Sequence, residues 1–287
     1  DATQAADLLP RFLAAVDQPS IDGFNSYCVA NLAHEQGLKV VLTGLGGDEL
    51  FGGYPSFRKI PQLLALHRSL GAARGPAARA LEAWPSSANK RLAAFLRAPS
   101  SATTAHQCLR GLFTPKEAQL LLQQWGLNGA PPPEHCNPAE GSAAFPTLAD
   151  AVAWLESTAY MGQQLLCDSD TYSMAHGLEL RLPYVDAQLF SDLAQLPAHT
   201  RLAPGKRLLS EAVPEVRAAL PAEPKRGFAF PFNQWFDQPR SPLRPGSPAW
   251  PLPAVPNGLD LSPWSRRWGL MVLRYWLKQN LQIELDA

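Results

Sequence analysis

The sequence carries no excess of charge of either sign. Its 287 residues include 25 lysines and arginines and 25 aspartates and glutamates, so the formal net charge is zero. A surface basic enough for nucleic acid is therefore not expected, and neither is a long acidic, solvating tail. We predict no nucleic-acid partner.

Cysteine is scarce, and long apolar runs are absent. The four cysteines lie at positions 28, 108, 136 and 167, without a CxxC pair and without histidines at metal-ligand spacing. This pattern does not predict a zinc site, and free thiols in a reducing cytosol are the preferred interpretation. No apolar stretch reaches the length of a membrane span and no signal peptide is visible, so we expect a cytoplasmic protein without a membrane partner.

Proline, by contrast, is abundant. The chain contains 28 prolines, which favour many short helices joined by irregular connections. Prolines recur so densely between Pro239 and Pro256 that no helix or central strand is expected there. The spacing predicts a proline-rich loop over residues 237–262, and residues 126–138 are predicted to form another exposed loop.

The apolar pattern predicts a mainly helical chain with one or a few short strands. Residues 8–16 and 23–36 have helical periodicity, and residues 39–42 are typical of a short buried strand. A helix followed by such a strand is half of a βαβ unit, and no strand precedes it here. We therefore expect the sequence to begin inside an α/β domain. Further helices are predicted over residues 61–70, 76–84, 88–96, 148–164, 165–176, 187–196 and 206–213.

The predicted last helix has an aromatic face. Trp264, Trp268, Met271 and Tyr275 recur at helical spacing, so we expect this face to dock onto the core.

A glycine-rich segment, residues 43–54 (TGLGGDELFGGY), follows the predicted strand directly. Glycines let a backbone turn sharply and approach a ligand, and successive N–H groups in such a turn can bind an anion. In open α/β sheets, ligands lie just beyond the carboxyl ends of strands. Asp48 and Glu49 would repel a bare phosphate, but they suit Mg²⁺ held between them and phosphate oxygens. A plain glycine-rich turn before a helix remains the alternative, since the segment matches neither common phosphate-binding fingerprint.

Three segments resemble motifs of the glutamine-dependent asparagine synthetase family. Residues 43–54 are similar to its S/T-G-x-G-S/G-D-E-x-F-G-G-Y signature. Residues 168–186 (DSDTYSMAHGLELRLPYVD) resemble its D-x-D-R-x-S-M-A-H-G-L-E-x-R-x-P-F/L-L-D block, and residues 224–231 (PKRGFAFP) resemble its P-K-x-G-F segment. The opening residues 17–20 (DQPS) also look like the family, and the order of the segments is the same.

The resemblance implies a fold and a reaction. The fold is an α/β synthetase domain of the ATP-pyrophosphatase (adenine nucleotide α-hydrolase-like) type, here truncated at its N-terminus. Residues 1–287 would form the C-terminal part of this single domain, with residues 1–60 ending the nucleotide-binding core and residues 61–287 forming a helical region. The implied reaction uses ATP and Mg²⁺ to convert a carboxylate, typically that of aspartate, to an acyl-adenylate. Ammonia released from glutamine by a separate N-terminal glutaminase domain then attacks it.

The resemblance also implies roles for individual residues. Four turn residues would contact the nucleotide, namely Thr43, Gly44, Gly46 and Gly47. Asp48 would help to hold Mg²⁺ and pyrophosphate. Lys225 would face the phosphates and stabilise the charge that develops as pyrophosphate leaves. A surface lysine beside Arg226 is the alternative interpretation of Lys225.

The chain departs from the family pattern in three places. The family's phosphate-binding S-G-G-x-D-S loop occurs nowhere in the 287 residues, so we predict that this chain alone cannot adenylate a carboxylate. Leu45 stands where the family has a glutamate base. Either another carboxylate such as Glu49 acts as the base, or the base is dispensable, or the product is a different amide. Thr171 replaces the family's usual arginine.

These departures leave three functions open: amidation of aspartate, a peptide- or natural-product-directed amide or β-lactam synthetase, and a non-catalytic scaffold that retains the fold. An incomplete sheet would expose strand edges and favour association, for example as a homodimer.

The remaining polar residues of the motifs are predicted to be structural. For Asp168, Asp170, Glu179, Arg181 and Asp186 a buried salt-bridge framework is favoured over substrate contact. His176 is interpreted as a packed or helix-terminal histidine. For Lys206 a position on a helix surface is favoured over a phosphate contact.

Overall fold

The structure, a computed structural model, describes residues 1–127, 145–219 and 230–286. The first stretch contains α1 (Ala2–Ala14), α2 (Gly23–Glu35), β1 (Val40–Leu42), α3 (Gly47–Phe51), α4 (Ser56–Leu70), a 3₁₀ turn (Gly71–Ala73), α5 (Arg74–Glu82), α6 (Ser87–Arg97), α7 (Ala102–Arg110) and α8 (Pro115–Gln124). The other two contain α9 (Leu148–Leu155), a π-helix (Glu156–Leu165), α10 (Leu166–Met174), β2 (Glu179–Arg181), α11 (Ala187–Ala194), α12 (Ala198–Arg201), α13 (Arg207–Ala212), α14 (Pro214–Ala219), α15 (Phe232–Asp237) and α16 (Trp264–Leu281).

The two strands form a small parallel sheet. Val40 pairs with Glu179 and Leu42 with Arg181, and the Thr43 N–H donates to the Arg181 carbonyl at 3.0 Å. The prediction that residues 39–42 form a buried strand is wrong in one respect, because Val40 is 42% and Leu42 is 70% exposed. Parallel strands are normally covered on both faces. In the part of the chain that the structure describes, β1 has β2 as its one hydrogen-bonded neighbour.

Local capping explains where several helices start. The Asp1 side chain accepts the Gln4 N–H and begins α1 well before the predicted residue 8. Ser101 and Thr114 form capping boxes that begin α7 and α8, two helices not predicted from the apolar pattern. Residues 238–263 contain neither helix nor strand, and most of the predicted loop over residues 126–138 lies outside the described residues.

An aromatic core joins the two ends of the chain. The rings of Phe12 and Phe24 on α1 and α2 meet edge to face, with centroids 5.1 Å apart. The Phe12 ring also stacks on Trp268 of α16 at 5.9 Å, and Phe232 lies 4.9 Å from Trp268. Buried aromatic pairs of this kind contribute both area and preferred geometry. The core therefore fixes α2, and the turn that follows it, against the C-terminal helix.

Gly23 allows α2 to approach α10 closely. A Cβ at this position would overlap the Tyr172 ring, so no larger residue fits there without movement. This contact brings residues 17–23 beside the start of α10, and Ser20 donates a 2.7 Å hydrogen bond to Asp168. Two of the recognised sequence segments therefore meet in space.

The predicted helices over residues 148–164 and 165–176 form one continuous rod with an irregular centre. Residues Glu156–Leu165 form a π-helix, and the Leu166 N–H donates to the Met161 carbonyl five residues earlier. Insertions of this type are rare and are often found at functional sites. The π-helix places Glu156 and Tyr160 on the side that faces α7.

The C-terminal helix docks as predicted at two of its four marker residues. Trp268 and Met271 are buried, Trp264 is partly buried, and Tyr275 is 37% exposed. Arg266 is also buried, where it forms a two-bond ion pair with Glu117 at 2.8 and 3.0 Å. Among the described residues, no helix combines the length and apolar character needed to cross a membrane.

Candidate nucleotide and phosphate site

The glycine-rich turn links β1 to α3 through two left-handed glycines. Gly46 has φ +91°, and a Cβ there would lie 3.0 Å from Tyr184 Cβ. Gly52 has φ +75° and ends α3. Both conformations favour glycine over any residue with a side chain. The turn therefore packs against Tyr184 and Val185, which follow β2, and it continues directly into α3.

Thr43 and Gly44 line a cavity of about 390 Å³ beside the end of β1. Its polar lining is uncharged and comes from Asn25 and Ser26 of α2 and from Ser169 and Ser173 of α10. Apolar residues of α2 and of the two strands, with Leu178 just before β2, form the rest of the wall. A lining of hydroxyl, amide and apolar groups suits an uncharged ring or sugar more than a phosphate chain.

Asp48 lies in the first turn of α3, beside Lys206. The Lys206 Nζ is 2.7 Å from Asp48 Oδ1, and the side chains are 28% and 20% exposed. Lys206 has φ +53°, the left-handed region, and it precedes α13. The interpretation of Lys206 as a helix-surface lysine is therefore wrong, because its backbone conformation turns the side chain onto the glycine-rich turn.

Gly53 makes room for this ion pair. A Cβ at Gly53 would overlap Asp48 Oδ1 and lie 2.7 Å from Lys206 Cε. The Gly53 N–H donates to the Asp48 main-chain carbonyl at 2.8 Å, which closes the turn around the carboxylate. The missing side chain thus leaves the space that the carboxylate and ammonium groups occupy.

Glu49 faces a different part of the molecule. It is only 1% exposed, and its Oε1 accepts the Tyr54 hydroxyl at 2.8 Å. Burial raises the pKa of this carboxyl despite the hydrogen bond from Tyr54. Glu49 lines a separate, mainly apolar cavity of about 890 Å³, together with Met161 of the π-helix and Arg201. The structure does not bring Glu49 to the cavity of Thr43 and Gly44.

These positions decide which carboxylate could hold a magnesium ion. Asp48 offers oxygen ligands next to a cation that suits phosphate, at a place where glycine leaves room. Glu49 is buried and bonded to Tyr54, so the expected placement of Mg²⁺ between both carboxylates does not fit. In the part of the chain that the structure describes, no group of three or more His, Cys, Asp or Glu side chains is arranged to hold a metal. A site at Asp48 would depend on phosphate oxygens, as Mg²⁺ sites often do.

A buried ion-pair cluster of Glu156, Arg110 and His106 contacts the turn through Tyr54. Glu156 is fully buried, and it accepts a 2.6 Å bond from Arg110, with His106 Nε2 at 3.4 Å. Burial acts to raise the pKa of Glu156, but the neighbouring His106 and Arg110 outweigh it and lower the pKa. The Arg110 guanidinium stacks over Tyr54 of the turn at 4.6 Å. Nothing local in the sequence marked these residues, which lie far apart along the chain.

The expected buried salt-bridge framework of residues 168–186 is mostly wrong. Asp168 is buried, but its partner is the Ser20 hydroxyl, and burial raises its pKa to about 7. Glu179 and Arg181 pair with each other at 2.9 Å in an exposed position. Asp186 caps α11 by accepting the Leu189 N–H at 2.8 Å.

The other predicted residues have simple positions. Asp170 is exposed, and His176 lies just past the end of α10, in the helix-terminal position expected for it. Lys225 lies outside the described residues, so its predicted role toward phosphate stays a prediction. Gly46 and Gly47 are among the described residues, and their predicted contact with a nucleotide also stays a prediction.

Comparisons with known proteins agree on one family. The family model described as asparagine synthase matches residues 1–244. The chain is 28% identical over 247 residues to proteins of Mycobacterium bovis and Mycobacterium tuberculosis named "Putative asparagine synthetase (glutamine-hydrolyzing)". The alignment covers 79% of this chain and 35% of each relative, so the chain spans about a third of the length of these relatives.

A shorter similarity involves a fungal protein. The chain is 46% identical over 43 residues to Amidase chry2 of Gibberella zeae, which covers 15% of this chain and 6% of that protein. No solved structure matches the chain.

Proposed function

The chain belongs to the asparagine synthase family, and from this membership we propose that it forms part of a ligase that converts a carboxylate to an amide with ATP. Its aspartate-directed form is the leading hypothesis, with ammonia from glutamine as the nitrogen source. The observation that carries the proposal is the pair of sites formed by one short segment, residues 43–48. Thr43 and Gly44 line a nucleotide-sized cavity after β1, and Asp48 at the start of α3 forms a charged site with Lys206.

The proposed chemistry has two steps. An oxygen of the substrate carboxylate attacks the α-phosphorus of ATP, the bond from that phosphorus to the bridging oxygen breaks, and pyrophosphate leaves. Ammonia then attacks the acyl carbon, loses a proton, and displaces AMP. Mg²⁺ at Asp48 would supply charge neutralisation for the departing pyrophosphate.

Residues of this chain would act mainly by electrostatics and positioning. Lys206 is already aimed at the turn, so a phosphate oxygen could replace Asp48 as its partner without a large movement. A cation placed where charge develops stabilises the transition state more than the ground state. Lys225 is proposed to act in the same way. Glu49 is better placed to anchor Tyr54 than to take a proton from a group held at Thr43, so a direct role as base is the weaker proposal.

The chain is proposed to need further residues for turnover. The S-G-G-x-D-S loop is not in the sequence, and β1 exposes apolar side chains that a further strand could cover. We propose that the nucleotide site is completed by a segment that carries such a loop, and that a cytoplasmic location and a glutaminase partner follow from the family.

A different carboxylate is the second candidate substrate. Thr171, in place of the family's arginine, donates its hydroxyl to Asp17 at 2.7 Å and offers no cation to a substrate. Together with Leu45, this supports the second candidate, an acceptor other than free aspartate such as a peptide or a natural product.

Calorimetric titration tests the proposal on the 287-residue chain. We expect AMP and ATP·Mg²⁺ to bind, and we expect Asp48→Asn to weaken ATP·Mg²⁺ by about tenfold while AMP changes little, since only the former needs the charged site. The exposed Asp7→Asn is the matched control. Absence of binding of both nucleotides at millimolar concentration, or equal weakening of both by Asp48→Asn, would contradict the proposal and favour a scaffold role.

A further inference from the structure

A polar cavity of about 330 Å³ lies apart from the glycine-rich turn, and none of the turn residues lines it. It is formed where the start of α2, the end of α7, the π-helix and the start of α16 meet, with α6 on one side. Its volume is at the lower end of the range for ligand pockets, about 300 to 1,000 Å³, so it suits a small molecule. Its polar lining consists of Asp22, Arg91, Arg110, Tyr160, Gln164 and Arg266, with Ser265.

The three arginines of this cavity are not equivalent. Arg266 is buried and bound by both oxygens of Glu117, which balances its charge. Arg110 is balanced by Glu156 at 2.6 Å. Arg91 is half-buried, donates from Nε to the Cys108 carbonyl at 3.2 Å, and forms no salt bridge with a carboxylate in the described ranges. Among the described residues, no carboxylate therefore pairs with this positive charge on the cavity wall.

The start of α16 adds to this positive side. Its N-cap position is Pro263, which has no side-chain acceptor, so the first-turn N–H groups are not capped by a side chain. An 18-residue helix has a partial positive charge at this end. Pro263 and Ser265 both line the cavity, so the helix start faces the same space as Arg91.

Asp22 supplies the opposite charge. It stands at the N-cap position of α2 but makes no cap bond with its side chain. Its Oδ2 instead accepts from two neutral donors of the π-helix, the Tyr160 hydroxyl at 3.1 Å and Gln164 Nε2 at 2.7 Å. Burial raises the pKa of this carboxyl, with the Tyr160 bond and the Arg110 charge acting against the rise. The carboxyl group is partly buried, and its direct hydrogen bonds come from uncharged groups.

We propose that this cavity binds a small free α-amino acid, with its carboxylate on Arg91 and the start of α16 and its ammonium group on Asp22. Each end of the ligand would meet a protein charge of opposite sign that has no oppositely charged group in direct contact among the described residues. Charge-assisted bonds of this type are the strong ones in small polar sites. The proposal concerns binding alone and does not depend on the proposed ligase activity.

The Arg110 side chain links this cavity to the glycine-rich turn, because it lines the cavity and packs on Tyr54. The Arg110 guanidinium lies 3.6 Å from the centroid of the Tyr160 ring and 4.6 Å from that of Tyr54. Tyr54 in turn donates to Glu49. A bound amino acid would therefore touch a side chain that packs directly on the turn.

The test is calorimetry of the 287-residue chain, without nucleotide, against a panel of matched ligands. L-aspartate, L-glutamate, L-glutamine and glycine contain both charged ends, succinate lacks the amine, and inorganic phosphate lacks the carbon skeleton. We expect at least one amino acid to bind, and aspartate to bind about tenfold more tightly than succinate, since it adds one charged contact. This comparison needs no variant.

Two variants locate the binding. Arg91→Met should weaken the preferred amino acid by about tenfold or more, and Asp22→Asn should remove the preference for aspartate over succinate. Arg79→Met, at an exposed position on α5, should leave both affinities unchanged. Equal affinities of wild type for aspartate, succinate and phosphate would overturn the proposal. So would full retention of amino-acid affinity in Arg91→Met, or no measurable binding of any amino acid at millimolar concentration.

Discussion

The Lys206 ammonium group lies 2.7 Å from Asp48 Oδ1 and joins the glycine-rich turn to the start of α13. Lys206 holds a left-handed backbone conformation that is uncommon for residues with a side chain and costs free energy. The pair balances the two charges, and an incoming phosphate would compete with Asp48 for the lysine. That exchange would leave Asp48 available to a magnesium ion.

Replacing Lys206 tests this exchange. Lys206→Met is expected to weaken ATP·Mg²⁺ binding by about tenfold or more, because a charge-assisted bond to phosphate is lost. AMP, which lacks the outer phosphates, should be affected less. Calorimetry with both nucleotides measures the difference, and Lys59→Met at an exposed position of α4 is the control. Equal losses for the two nucleotides would show that Lys206 supports the fold rather than the phosphates.

Two glycines of the turn should separate stability from binding. Gly53→Ala is expected to destabilise the chain by about 1 to 3 kcal/mol, since its Cβ would displace the Asp48 carboxylate. Gly44→Ala meets no atom within 4 Å and should change stability little, yet its methyl group would enter the Thr43 cavity and weaken AMP binding. Urea unfolding and calorimetry on both variants measure the two effects. Equal stability of the two variants would contradict the position of Asp48.

Asp168 should make the chain less stable as pH rises. Burial raises its folded-state pKa from 3.8 to about 7, with Asp17 and Asp22 adding to the rise and the Ser20 bond opposing it. Below pH about 4 the carboxyl is protonated in both states, so its contribution is fully present. Between about 4 and 7 the unfolded chain releases the proton first, and the free energy of unfolding falls.

Asp168→Asn should remove this fall, because an amide can still accept the Ser20 hydroxyl without ionising. We expect the difference in unfolding free energy between pH 4.5 and 7.5 to shrink by about 2 to 4 kcal/mol in the variant. Urea titrations across that range provide the measurement. An unchanged pH slope would show that Asp168 is ionised at little cost in the folded chain.

The buried carboxylate of Glu156 makes Arg110 important for stability. Arg110→Met would leave that charge with His106 as its remaining ion partner among the described residues, so we expect a loss of about 3 kcal/mol. Arg97→Met breaks an exposed pair with Glu82 and should cost less than about 1 kcal/mol. Chemical denaturation compares the two. Similar losses would mean that Glu156 is neutral or solvated.

The exposed face of β1 predicts association. Val29 and Leu32 of α2 and Val40 and Leu42 of β1 are all exposed apolar residues of neighbouring elements. Sedimentation velocity should therefore show concentration-dependent association of the chain, and Leu42→Lys should reduce it with little change in stability. Leu66→Lys, at an exposed site on α4, is the control. A chain that stays monomeric at high concentration would contradict the prediction.

The sequence predicted the local structure of this molecule better than its long-range contacts. The turn at residues 43–54 could be found because glycines and acidic residues follow an apolar strand directly, and α7 and α8 could have been found from the capping residues Ser101 and Thr114. The pairing of Lys206 with Asp48 depends on a left-handed backbone at a lysine, which composition and periodicity do not reveal. Likewise, Arg110 and Glu156 meet because of helix packing, so no spacing rule marks them.

The winding of the π-helix limits how many residues the segment Glu156–Leu165 can contain. A π-helix turns through a smaller angle per residue than an α-helix. With this winding, Tyr160 and Gln164 reach Asp22 while α10 still meets α2 through Tyr172. If the same ten residues, Glu156–Leu165, took up ordinary winding, one half of the rod would rotate by about 100° or more against the other. Local helix geometry would improve, but the bonds to Asp22 and the packing of Tyr172 on α2 could no longer form together. The residue count and the winding of this segment are therefore matched, and ordinary winding would suit the same contacts only in a segment about one residue shorter.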